Sequence, residues 1–195
     1  MRRLTLTILL VLCAGLTLLP ACSREEAGGA SGGAPEKTAA APARWTSALA
    51  GVEEAAAEAR RWREDALLYA IATPEPALDA RGRAPAWLYT FVSPSAGAVA
   101  SVEVRGGEVR RLPEQRLPEP DIRNLRRNAL PPPGRLLDSG EALRRTERVR
   151  ELLAGDGRTA SAGLDSLSGG GPVWIFATVG EGRRLEERVP AVAGG

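Results

Sequence analysis

The chain has 195 residues, with 26 Lys+Arg against 24 Asp+Glu, no histidine and two cysteines. The missing histidine removes Ser-His and Cys-His catalysis and every histidine-containing zinc site. A net charge of +2 does not supply the strong basic face that nucleic-acid binding usually needs.

Residues 1–22 form a unit. Arg2 and Arg3 precede an apolar run from Leu4 to Leu19, followed by Leu19-Pro20-Ala21-Cys22 and then charged chain. A basic start, an apolar core and small residues follow the order of an export signal. The apolar run is shorter than the roughly 20 residues that span a bilayer. Its end resembles the lipobox of bacterial lipoproteins, which implies cleavage before Cys22 and lipid on its thiol. The other reading is an ordinary secretory signal or an uncleaved anchor helix, with Cys22 incidental. In the lipoprotein reading Cys13 leaves with the signal (residues 1–21), and no thiol remains for a disulfide. Without Arg2 and Arg3 the charges balance at 24 each. Ser23, where an aspartate commonly retains such proteins at the inner membrane, implies the periplasmic face of the outer membrane if the host is Gram-negative.

The lipid-bearing residue and the segment after it, 22–44, read as a flexible tether of Gly, Ala, Ser, Pro and charge. As a coil it spans about 25 Å, and about 75 Å when pulled straight.

Folded chain is expected from 45 to 193. Trp45, Leu49, Val52, Ala56 and Ala59 recur at helical steps, Thr46 or Ser47 can cap, and Arg61 with Asp65 is a candidate ion pair, so a helix is predicted over about 46–63. Strands are predicted at 65–72, 86–92, 98–104 and 108–112, with Gly106-Gly107 turning the last pair. In the second strand Trp87, Tyr89 and Phe91 share one face, and Leu88, Thr90 and Val92 the other. In 116–134, Asp121 can cap a short helix that Pro131–Pro133 must end. Asp138 or Ser139 then caps a helix from 139 to about 153, followed by strands at 159–164, 172–179 and 184–190.

The segments APAWLYTFV (84–92) and GPVWIFATV (171–179) share Pro, one residue, Trp, an aliphatic, an aromatic and a closing Val. The expected fold class is therefore α+β: two helix-plus-antiparallel-sheet repeats, about 45–112 and 138–190, packed into one body. Trp87 and Trp174 are expected at equivalent buried places, one in each sheet, each under its own repeat's helix. The alanine- and charge-rich helix, DALLYAI, WLYTFVSPS and VASVEVRGGEV resemble the PepSY-like group of extracytoplasmic domains. That resemblance implies a helix on a small antiparallel sheet and an inhibitory, regulatory or binding role. The closing strands VEVRGGEVRRL and LEERVPAVAGG depart from that group's usual ending, an aspartate followed by Thr-Gly.

No residue is assigned to catalysis, a cofactor or a metal, and the chain is read as a non-enzyme. Glu53, Glu54, Asp79, Glu119, Asp121, Glu186 and Glu187 lie scattered among arginines, as solvated carboxylates do. A serine–lysine dyad would need Lys37, the only lysine, from within the tether. The expected function is a non-catalytic envelope lipoprotein, held to the membrane through Cys22, that binds a protein or peptide or regulates one. Strand addition to an exposed sheet edge is the expected mode. The alternative is a carrier with an apolar pocket for a small molecule or lipid.

Overall fold

The computed structural model describes residues 44–155, 158–166, 170–180 and 183–192. The chain divides into Met1–Ala39 and Ala40–Gly195, and the described elements all belong to the second unit. The expected signal, Cys22 and the expected tether up to residue 43 lie outside the described residues.

A 3-10 turn, Ala48–Gly51, runs into helix α1, Val52–Trp62, which buries Val52, Ala55, Ala59 and Trp62. Strands β1 (Leu67–Ala72), β2 (Ala86–Ser93), β3 (Ala98–Arg105), β4 (Glu108–Arg111) and β5 (Gln115–Arg116) follow. Helix α2 spans Glu119–Arg127, α3 Ser139–Leu143 and α4 Arg148–Ala154, before β6 (Ser161–Asp165), β7 (Val173–Gly180) and β8 (Arg183–Pro190). Gly106 and Gly107, at φ 60° and 100°, make the tight turn between β3 and β4 that side chains with a Cβ resist.

Helix and antiparallel sheet together make the fold α+β. The strands form one sheet in the order β4-β3-β2-β1-β6-β7-β8, with β5 also pairing β3. This corrects the expectation of a sheet in each half. Strands β1 and β6 pair through Ile71↔Leu164 and Ala72↔Gly163, joining both sets of strands in one ladder. Neither inner strand is left with a long free edge, and the core grows beyond what a 60–70-residue unit could bury.

Alternation sorts the side chains. Trp87, Tyr89, Phe91, Val102, Trp174, Phe176 and Val189 face the helices with Ala55, Ala59, Leu143 and Val149 in one core. A smaller cluster of Tyr69, Val92 and Ile122 seats α2 on the opposite face. Both tryptophans are fully buried. Each indole donates to a carbonyl just ahead of a helical segment, Trp87 to Thr46 O at 2.9 Å and Trp174 to Leu137 O at 2.8 Å.

Local expectations are corrected in four places. Ser47 makes no capping bond; Ala48 N and Leu49 N instead donate to Ser139 Oγ and Asp138 Oδ1. Asp121 lies inside the first turn of α2, with Pro118 at the cap position. The helix expected over 139–153 is broken between α3 and α4, where Thr146 Oγ1 donates back to Leu143 O and Glu187 takes the first N–H groups of α4. Arg61 pairs with Glu58 rather than Asp65, whose carboxylate accepts from Ser93 Oγ and Ser95 N.

Candidate interaction surface

The acidic residues do not converge. Asp79 closes its own turn by accepting from Arg81 N, Arg83 N and Arg83 Nε. Glu119 pairs with Arg123 one helical turn on. Glu187 caps α4, with Val149 N at 2.7 Å. Among the described residues no group of three or more His, Cys, Asp or Glu could hold a metal ion. Cys22 and Lys37 lie outside the described residues.

Two carboxylates with lowered pKa values serve the fold. Glu103 is 8 % exposed on β3 and accepts from Arg105 Nε at 2.9 Å and Arg110 at 2.6 Å. Burial pushes its pKa up, but the two arginines outweigh burial and hold it below the usual range. Asp65 behaves likewise: burial raises its pKa, and the bonds from Ser93 and Ser95 bring it below the ordinary value. Burial, helped by the charge of Asp165, pushes the Tyr69 phenol up to about 12.

The clefts lined by the described residues are open to solvent. One of about 320 Å³ lies between Trp45, Gly51, Glu54 and the β3–β4 turn. Another of about 410 Å³ lies beside Asn128, Pro131, Ser166 and Pro172. The space between helices and sheet is filled instead by Trp87, Trp174, Tyr89 and Phe176, each fully buried. Trp87 and Trp174 are therefore packing groups and not stacking platforms.

The sheet edges remain. At one end β4 offers four residues, and the chain bends back at once into β5. At the other, β8 is paired along all eight residues to β7 and, among the described residues, to no strand on its outer side. Antiparallel ladders alternate between pairs that exchange hydrogen bonds and pairs that do not. Ala191 N donates to Pro172 O at 2.9 Å. Counting back in twos, Val189, Glu187 and Leu185 turn their backbone groups toward β7. The outward N–H and C=O groups then belong to Arg184, Glu186 and Arg188, while Pro190 has only a carbonyl to offer. The same three side chains line the sheet face away from α1, α3 and α4, with Glu186 bridging Arg184 at 3.1 Å and Arg188 at 2.9 Å. The strand RRLEERVP was legible in the sequence. Its place at the end of the sheet was not, because strand order is not written in local periodicity.

The site is thus a charged, partly Pro-blunted antiparallel edge on an α+β body. Comparison with known protein families, curated proteins and solved structures finds no match to the chain.

Proposed function

We propose that this chain is a lipid-anchored, non-catalytic module of the bacterial cell envelope that binds a protein or peptide by strand addition along β8. The free outer edge of β8 carries the proposal, because outward N–H and C=O groups at Arg184, Glu186 and Arg188 are a template for another strand. Charges on that edge select against apolar strands and for complementary ones. The lipobox-like Leu19-Pro20-Ala21-Cys22 supports the anchorage, and α1 packed on an antiparallel sheet agrees with the PepSY-like resemblance. We also read the chain as a duplicated helix–strand–strand–strand unit, supported by the matching indole-to-carbonyl bonds of Trp87 and Trp174. The filled space between helices and sheet weighs against a carrier of small molecules or lipid.

Two measurements test this reading. Intact mass and detergent partitioning of wild type against Cys22→Ala should show a cleaved, acylated wild type and an unacylated variant; a wild type retaining residues 1–21 ends the anchorage reading. A photo-crosslinking residue at Arg188 should trap a partner in intact envelopes, while one at Arg123 on α2 should not. Equal trapping at both positions would remove β8 as the binding edge.

A further inference from the structure

Residues 183–187 read Arg-Arg-Leu-Glu-Glu, and the charges reverse sign about Leu185. Laid antiparallel against itself with Leu185 opposite Leu185, this run places Arg184 opposite Glu186 on both sides of the axis. Such a strand is its own complement. From this charge pattern and the free edge of β8 we infer that the strand added along β8 is β8 of a second copy of the chain, related by a two-fold axis at Leu185. The inference rests on the proposed role of β8 as a pairing edge and names its occupant.

The geometry fixes the register. Arg184 and Glu186 carry the outward backbone groups, so Arg184 of one copy and Glu186 of the other form a hydrogen-bonded pair that exchanges N–H and C=O. The symmetric pair repeats this on the far side of the axis. Their side chains share the sheet face away from α1, α3 and α4, where Arg184 is 68 % and Glu186 29 % exposed. A pair across the seam exchanges the bonds Glu186 makes to Arg184 and Arg188 of its own chain for bonds to the second copy. Opposite charges directly across an antiparallel pair are stabilising, and like charges are not.

The neighbouring registers fit less well. Moving the axis to Glu186 sets Glu186 opposite itself and Arg184 opposite Arg188. Moving it to Glu187 restores Glu186–Arg188 pairs, but sets Glu187 opposite itself in the close, non-hydrogen-bonded position. It also brings Pro190, which has no N–H, opposite Arg184. With the axis at Leu185, Pro190 falls outside the paired window. An isologous contact of this kind closes at two copies, because each copy spends its only long free edge among the described residues on it.

The test uses the full chain in detergent, in two differently tagged forms, and measures co-capture. Arg184→Glu sets glutamate against glutamate between like copies, and Glu186→Arg sets arginine against arginine. Each variant should lose self-capture at least tenfold. Mixing Arg184→Glu with Glu186→Arg should restore capture to within about twofold of wild type, because both seam pairs become opposite again. Arg123→Glu, on α2 and away from the edge, should leave self-capture unchanged. Loss of capture in Arg188→Glu but not in Arg184→Glu would overturn this register. Failure of the mixed pair, with both variants folded by circular dichroism, would overturn self-pairing. Should a charge variant unfold, Leu185→Cys decides independently. On the axis its Cα lies about 4.5 Å from its copy, within disulfide range. Oxidation should then yield a linked dimer that the wild type, whose Cys13 leaves with the signal and whose Cys22 thiol carries lipid, does not form, and absence of that dimer counts against the axis. The crosslink at Arg188 separates the two ideas: a product of twice the chain mass supports self-pairing, whereas a product with another polypeptide leaves β8 as an edge and removes the second copy as its occupant.

Discussion

The rings of Trp87 and Trp174 meet edge to face, with centroids 6.3 Å apart and planes at 74°. The two residues come from β2 and β7, which are separated in the sheet by β1 and β6. Their contact makes the two halves share one core instead of each closing its own, and Phe176 stacks on Trp174 at 5.8 Å to extend it.

Trp87→Ala and Trp174→Ala should therefore each cost about 3–5 kcal/mol. The double variant should cost less than the sum, by the roughly 0.5–1.5 kcal/mol of the edge-to-face pair. Denaturant unfolding of the four forms gives the coupling directly. Strict additivity would mean that the rings merely adjoin.

Strands and faces were legible because each half alternates aromatic and β-branched residues with smaller or polar ones. Trp87, Tyr89 and Phe91 fall together in the helix-facing core as the two-residue period requires. The rest depends on partners far along the chain. The break between α3 and α4 is set by Glu187, 38 positions after the Val149 it caps. The first turn before α1 is capped by Asp138, 89 positions after Leu49. Local propensity at Ser47 or over 139–153 contains neither fact. The edge on β8 was hidden for the same reason, since it depends on β6, and not β8, being the strand that pairs with β1.

The acid limb of stability should pass through Glu103. Its pKa is lowered in the fold by Arg110 and Arg105 against the opposing effect of burial. A lowered carboxylate contributes stability that is complete above its unfolded pKa and is lost as pH falls through the folded one. Asp65 adds to this in the same direction. Stability should decline below about pH 4, and Glu103→Gln should flatten that decline while costing about 1–2 kcal/mol at neutral pH. Parallel acid titrations of both forms, followed by circular dichroism, check it. Identical acid limbs would place the titrating groups elsewhere.

Glu187 holds α4 by accepting from the N–H groups of Glu147, Arg148 and Val149 at 3.4, 3.3 and 2.7 Å. A carboxylate there meets both the unpaired donors and the positive end of the helix. Glu187→Ala should destabilise the chain by about 1–2 kcal/mol and accelerate amide exchange across 149–154 before the rest of the core. Glu187→Gln keeps an acceptor and should cost about half as much. Unchanged exchange in α4 for the alanine variant would show the cap to be dispensable.

Ser139 links three segments at one buried hydroxyl. Its Oγ accepts from Ala48 N at 3.0 Å and donates to Gly82 O at 2.7 Å, while Asp138 Oδ1 beside it accepts from Leu49 N at 3.0 Å. The approach is close enough that a Cβ on Gly82, which has φ +75°, would lie 2.5 Å from Gly140 Cα. Removing the hydroxyl leaves a backbone N–H and a C=O buried without partners, at about 1–3 kcal/mol for each group. Ser139→Ala should therefore cost about 2–4 kcal/mol in denaturant unfolding, far more than the loss of an exposed cap. Gly82→Ala should be at least as damaging, because a strained φ and a backbone collision act together. The discriminating readout is hydrogen exchange at Ala48 and Leu49. Ser139→Ala should speed exchange at Ala48, 91 positions before the substituted residue, while Leu49 keeps its acceptor on Asp138. Loss of stability with unchanged exchange at Ala48 would mean that Ser139 merely fills space.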